Sequence, residues 1–146
     1  MWHGRLVQLD NRACWDRVRS SRSGVLGTVH AERGVDAVSV VFVVHEDRLV
    51  IPIDTVKPKS GRRLQRLRNL ELDGRAVLLV DHYDDDWTTL WWVRVHGNAR
   101  EHAPTAAQIE ALRARFAAYR AAGTIISVIV LDPRELTGWA AGPTER

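Results

Sequence analysis

Apolar residues alternate with polar ones through most of the chain, and Gly, Asp and Pro break the pattern at short intervals. GVLGTVH, residues 24–30, reads as a strand, and 31–34 supplies turn chemistry. The valine-rich run 35–44 reads as a second, well-buried strand. His45, Glu46 and Asp47 form a tight turn into a third strand over 48–53. Three consecutive strands joined by short turns form a meander, so the sheet should be antiparallel. Ahead of them, 11–20 can form a short helix with Cys14 and Val18 on one side.

A second helix is expected over 61–70, where Leu64, Leu67 and Leu70 share a stripe. Asp73 and Gly74 make a turn into a fourth strand over 75–83. After a hairpin loop at 84–89, LWWVRVHGNAR (90–100) forms a fifth strand, with Trp91, Val93 and Val95 on one face and Trp92, Arg94 and His96 on the other. Thr105 and Gln108 have capping-box spacing and start a third helix. Its stripe is Ile109, Leu112, Phe116 and Tyr119, and Gly123 is its stop. The sixth strand, 124–131, is apolar throughout and therefore central, and 133–139 adds a short extended piece. Mostly meander-linked strands with few helices favour a small antiparallel barrel, mainly β, with helices packed outside. A doubly wound α/β fold is disfavoured, because too few strands are linked through helices.

Composition narrows the class only a little. At 146 residues, 45% hydrophobic and 27% charged, the chain fits one domain spanning 1–146. The lone Cys14 has no internal partner, which suits a reducing compartment, and it reads as a small buried apolar residue. No stretch approaches the ~20 apolar residues of a membrane helix, and MWHGRLVQLD lacks the features of a signal peptide. The expected address is the cytoplasm.

Charge changes the picture at one place. Net charge is a modest +3, yet KPKSGRRLQRLR, residues 57–68, carries Lys57, Lys59, Arg62, Arg63, Arg66 and Arg68 with no acid among them. Arg62 and Arg66 lie four apart on one helix face, pointing away from the centre of the leucine stripe. Ser60 can cap the helix start. A helix N-terminus behind a basic loop attracts anions, because free N–H groups and the dipole add to the side-chain charges. A plain solvated basic face is the alternative reading. Against it, soluble helices usually interleave glutamates, and like charges this close repel when no anion is present.

Trp87, Trp91 and Trp92 fall within six residues. On a strand, Trp91 and Trp92 face opposite sides, so one can enter the core while the other meets solvent, a partner chain or a planar ligand. The alternative buries both between sheet and helix. Asp84, Asp85 and Asp86 lack the spacing of a calcium loop and read as a solvated hairpin tip. The six histidines show no zinc spacing, although His82 and His96 can approach each other across the hairpin. There is no Gly-rich dinucleotide motif, phosphate loop or nucleophile elbow.

Taken together, GVLGTV, VVFVV, RLVIPID, the basic loop, RLRNLELDGRAVLLVDHYDDDW and LWWVRVHGNAR resemble the pyridoxamine-phosphate-oxidase-like split-barrel flavoproteins. Within that group the chain is most similar to the small actinobacterial-type proteins that use the deazaflavin coenzyme F420. The resemblance covers about residues 24–139. It implies a six-stranded antiparallel split β-barrel, a homodimer, and a cofactor groove between two subunits. Phosphate would be held by basic residues after the third strand. Arg66 stands where the family commonly has a lysine, and Leu64-Gln65 replace a common Ser-Arg. The implied cofactor-binding set is Thr55, Lys57, Lys59, Ser60, Arg62, Arg63, Arg66 and Trp92, with no metal and no catalytic residue assigned. The basic excess suits the phosphodiester and glutamate tail of coenzyme F420 better than the single phosphate of FMN. The activity implied is hydride transfer from reduced deazaflavin to a small electron-poor substrate. An FMN oxidoreductase of the same fold and a non-enzymatic binder of a planar cofactor or single-stranded nucleic acid are the alternatives.

Overall fold

A computed structural model describes residues 4–54 and 64–142. Among these residues eight strands form a single sheet: β1 (Leu6–Gln8), β2 (Ser23–His30), β3 (Gly34–Val41), β4 (Val43–His45), β5 (Arg48–Asp54), β6 (Arg75–His82), β7 (Trp91–His102) and β8 (Ile125–Ala141). Three α-helices accompany them among the described residues: α1 (Asn11–Ser20), α2 (Gln65–Leu72) and α3 (Ala106–Arg115). The strand order is β3-β2-β6-β7-β8-β5-β4, with β1 added on β8. Every pairing is antiparallel.

Closure of the sheet follows from one residue. β3 and β4 stand at opposite ends of the strand order, yet only Phe42 separates them in the chain. The two ends must therefore lie side by side, and the sheet curls into a barrel with an unpaired seam, a split barrel. Phe42 is fully buried and its N–H donates to the Arg22 carbonyl at 3.1 Å. The expected single strand over 35–44 is thus two strands, each serving a different end of the sheet. The expected meander is corrected with it: β5 pairs with β4 and β8 and does not pair with β3.

Leu26, Phe42, Leu49, Ile51, Leu78, Val93, Val95, Ile129 and Leu131 fill the barrel, joined by Cys14 and Val18 of α1 and Leu67 and Leu70 of α2. A second cluster lies on the other side of the sheet under α3, where Leu112 and Tyr119 pack on Val50, Val128 and Val130. β8 is therefore buried on both faces over residues 128–131, which explains the apolar run there and confirms its central place; Ile126, before that stretch, is exposed. It continues without interruption through the piece expected as a separate extension. β1, not anticipated from the sequence, pairs its three residues with Ala141, Ala140 and Trp139. With β3 and β4 divided, the six expected strands become eight.

α3 begins on the expected capping box, with Thr105 Oγ1 accepting from Gln108 N at 3.1 Å and Gln108 Oε1 from Thr105 N at 3.0 Å. It stops earlier than expected. Phe116 is extended at φ −124°, a short 3-10 turn covers Ala117–Tyr119, and Gly123 takes φ +76° in the turn that enters β8. The end of α3 is tied to the end of α1, because the Arg115 guanidinium donates to the Arg19, Ser20 and Ser21 carbonyls at 2.9 to 3.0 Å. Three donors on the free carbonyls of a helix end complete it. No helix among the described residues is long and apolar enough to cross a membrane.

Candidate functional site

The early end of α3 builds the site. Phe116, Ala118 and Tyr119 swing over the rim of the barrel and, with Ser23, Ser39, Val40, Val41, Pro52, Asp54 and Arg66, enclose a cavity of about 350 Å³. Asp54 ends β5, directly before the basic segment, and Arg66 lies in the first turn of α2. The walls are largely apolar, and their polar groups are a carboxylate, a guanidinium, a phenol and two serines.

Arg66 is the group of most interest. Its side chain is half-buried, and its Nε atom is fully buried with no hydrogen-bond partner. Burial pushes its pKa down, and the Asp54 charge draws it partly back. An arginine still keeps its proton at neutral pH. A buried N–H without an acceptor carries a desolvation cost of about 1–3 kcal/mol, which an anion entering the cavity would remove. Asp54 is itself held by Tyr119, whose Oη donates to Oδ2 at 2.8 Å. Burial and then this bond push the Tyr119 pKa up, so the phenol remains a donor. Arg66 and Asp54, the two charged residues of the lining, cancel in charge.

α2 is fixed to the barrel by a buried polar network. Asn69 Nδ2 donates to Thr28 Oγ1 and to Asp36 Oδ2, both at 2.9 Å, and Asn69 Oδ1 accepts from Gln65 Nε2 at 2.9 Å. Hydrogen bonds from Arg33 and then Asn69 hold the Asp36 carboxyl below the usual range.

The model of the pyridoxamine 5'-phosphate oxidase family matches residues 10–140, from the cap of α1 to the end of β8. The chain belongs to that family. Among curated proteins there is no match. Solved structures with similar folds include an FAD binding protein from Mycobacterium smegmatis, 20% identical, with 92% of this chain and 98% of that chain covered and a TM-score of 0.65. An FAD-binding protein from Mesorhizobium loti is 13% identical, with 96% and 99% covered and a TM-score of 0.70. A heme binding protein from Mycobacterium smegmatis is 24% identical, with 90% of this chain but 54% of that chain covered and a TM-score of 0.67. At these identities the likeness establishes the fold.

Six of the candidate binding residues, Thr55, Lys57, Lys59, Ser60, Arg62 and Arg63, lie outside the described residues. The N-cap position of α2 is Leu64, with no side-chain cap. Arg66 lines the cavity, and the expectation that it faces away from the packed side is corrected by its buried Nε. Trp91 packs on the barrel core while Trp92 stands on the outer face under the Arg94 guanidinium, 4.5 Å from its ring centroid. Trp92 is not part of the cavity wall. His82 and His96 do not meet: their register partners are Trp91 and Val77, and His82 Nε2 lies 3.0 Å from Asp84 Oδ2. Asp86 caps the turn at Trp87–Thr89, and the described residues contain no metal-binding cluster. Cys14 is fully buried, and burial pushes its thiol pKa up.

Sequence reasoning missed Asp54 and Asn69, and it placed Phe116 and Tyr119 only in the packing stripe of α3. For Asp54 a signal was present, namely a carboxylate at a strand end immediately before a run of cations.

Proposed function

We propose that this domain is an oxidoreductase that holds a flavin-type cofactor by its anionic end at the Arg66 cavity, with coenzyme F420 as the preferred cofactor and FMN as the alternative. Family membership supports the class, and the FAD-binding descriptions of two structural neighbours support a flavin-type ligand. The observation that carries the reading is the buried, unpartnered Arg66 Nε in a cavity lined by Asp54 and Arg66, which in the sequence flank the segment holding Lys57, Lys59, Arg62 and Arg63. The six cations of residues 57–68 favour the longer anionic tail of coenzyme F420 over a single phosphate.

In this reading each residue has a defined task. Arg66 donates through Nε to an anionic oxygen, and charge assistance makes that bond stronger than a neutral one. Asp54 attracts the guanidinium through its charge, and Tyr119 keeps Asp54 in place. Val40, Val41 and Phe116 exclude water, which strengthens the attraction between cation and anion. When bound, the ring supplies hydride transfer with a small electron-poor substrate. At 350 Å³ the cavity sits at the small end of ligand pockets, which run from about 300 to 1,000 Å³. It has room for the anionic part of a coenzyme, and a second copy of the chain in a homodimer is the source of the wall around the ring.

Tryptophan-fluorescence titration with coenzyme F420 and FMN tests the site. Replacing Arg66→Ala together with Lys59→Ala should weaken the tighter of the two ligands about 100-fold or more, since two hydrogen bonds to charged groups contribute about 1.5–3 kcal/mol each. Unchanged affinity in the folded double variant would move the anion site elsewhere.

A further inference from the structure

Thr28 and Asn69 are the two buried polar side chains among the described residues, 3% and 2% exposed, and they bond to each other. A helix that already presents Leu67 and Leu70 to the core does not need a buried amide for adhesion. A buried amide costs stability unless fully bonded, and a leucine there would add apolar contact. Every polar atom of the Asn69 amide is bonded. Its two N–H groups go to Thr28 and Asp36, and its oxygen accepts from Gln65. With both N–H groups and the oxygen partnered, the side chain has one orientation.

The two acceptors are a cross-strand pair. Thr28 on β2 stands opposite Asp36 on β3 in the register of that hairpin. Both lie on its core-facing side, as do Leu26 and Val40 two and four positions away. The same hairpin lines the cavity further along, through Ser23 on β2 and Ser39, Val40 and Val41 on β3. On α2, Asn69 lies three residues after Arg66, one turn along the same helix face. Asp36 is kept ionised as an acceptor by Arg33, whose Nε and Nη2 reach it at 3.1 and 2.9 Å.

We infer that Asn69 is a positioning residue for the anion site: by clamping α2 to the Thr28–Asp36 pair, it fixes the rotation of the helix and holds the Arg66 guanidinium over the cavity wall that the same hairpin builds. This rests on the reading of Arg66 given above. It assigns a role to a residue that touches no ligand. Losing the clamp leaves the helix attached through its leucines but free to rotate by part of a turn. Arg66 would then spend only a fraction of its time aimed into the cavity.

A double-mutant cycle separates this role from simple stability. The probe is coenzyme F420 or FMN, whichever the wild-type protein binds more tightly, measured by fluorescence quenching. Asn69→Leu should weaken binding about tenfold, the lower range for a bond to a charged group. In an Arg66→Ala background the same change should have almost no effect. Leu67→Ala is the control. It loosens the packing of the same helix but keeps the clamp, and the affinity of its folded fraction should match wild type. If Asn69→Leu does not fold, Thr28→Val removes one of the two acceptors and should weaken binding by a smaller factor, again only when Arg66 is present. Asn69→Leu or Thr28→Val with wild-type affinity, or with the same loss in the presence and absence of Arg66, would overturn the inference while leaving the site intact. Wild-type affinity in Arg66→Ala itself would overturn the reading of the site, and the role of Asn69 with it.

Discussion

At the residue scale, several side chains do what their neighbours impose rather than what their own type suggests. Glu46 and Asp47 form the two-residue loop between β4 and β5 with φ of 51° and 58°, although such left-handed turns favour Asn and Gly. A non-glycine residue there carries about 1 kcal/mol of strain or more. Glu46→Gly should therefore raise the melting temperature by about 3 °C, read by differential scanning calorimetry. A lowered melting temperature would show that Glu46 makes a compensating contact. Arg66 illustrates the limit of reading single residues. Its charge was evident from the sequence, but helical periodicity counted it as surface because it lies off the leucine stripe. Its burial follows from Asp54 and the Phe116–Tyr119 turn, more than fifty residues apart in the chain. Asn69 was visible only as the middle of Arg-Asn-Leu, since no local pattern marks a buried amide whose acceptors lie on two other strands.

At the element scale, periodicity located every helix and nearly every strand, because one-sided burial leaves a period of 2 or 3.6 in the sequence. Boundaries were less legible. Phe116 and Tyr119 kept the helical spacing of Ile109 and Leu112, so the stripe seemed to run on, yet the chain leaves the helix at Arg115 and buries the same side chains from an irregular turn. The long pairing of β7 with β8 held a second surprise, a register shift between His96 and Gly97. A Cβ at Gly97 would overlap the Asp132 carbonyl. Gly97→Ala should accordingly cost about 3 kcal/mol, at the upper end for overpacking, measured by urea unfolding. A loss below about 0.5 kcal/mol would mean the two strands can separate at the bulge without penalty.

For the whole molecule, the decisive event is a one-residue interruption. Valine-rich sequence over 35–44 gave no sign of a break, and Phe42 resembles any other buried strand residue. Its effect shows only when strand pairing is known, since it sends β3 to one end of the sheet and β4 to the other. Closure brings the end of β5, the first turn of α2 and the turn after α3 around one cavity, and it sets a half-buried cation, Arg66, in its wall. The barrel class followed from element order, and the split of the barrel came through family resemblance. The cavity required the third dimension. Thermal-shift measurement of the apo protein against coenzyme F420, FMN, FAD and haem tests the central claim most directly. A ligand at a hundredfold excess over its Kd adds about 2.7 kcal/mol of stability, which is roughly 8 °C for a domain of this size. The account expects the largest shift with coenzyme F420, with FMN next. No shift from any of the three phosphate-bearing coenzymes, or a shift from haem alone, would contradict it.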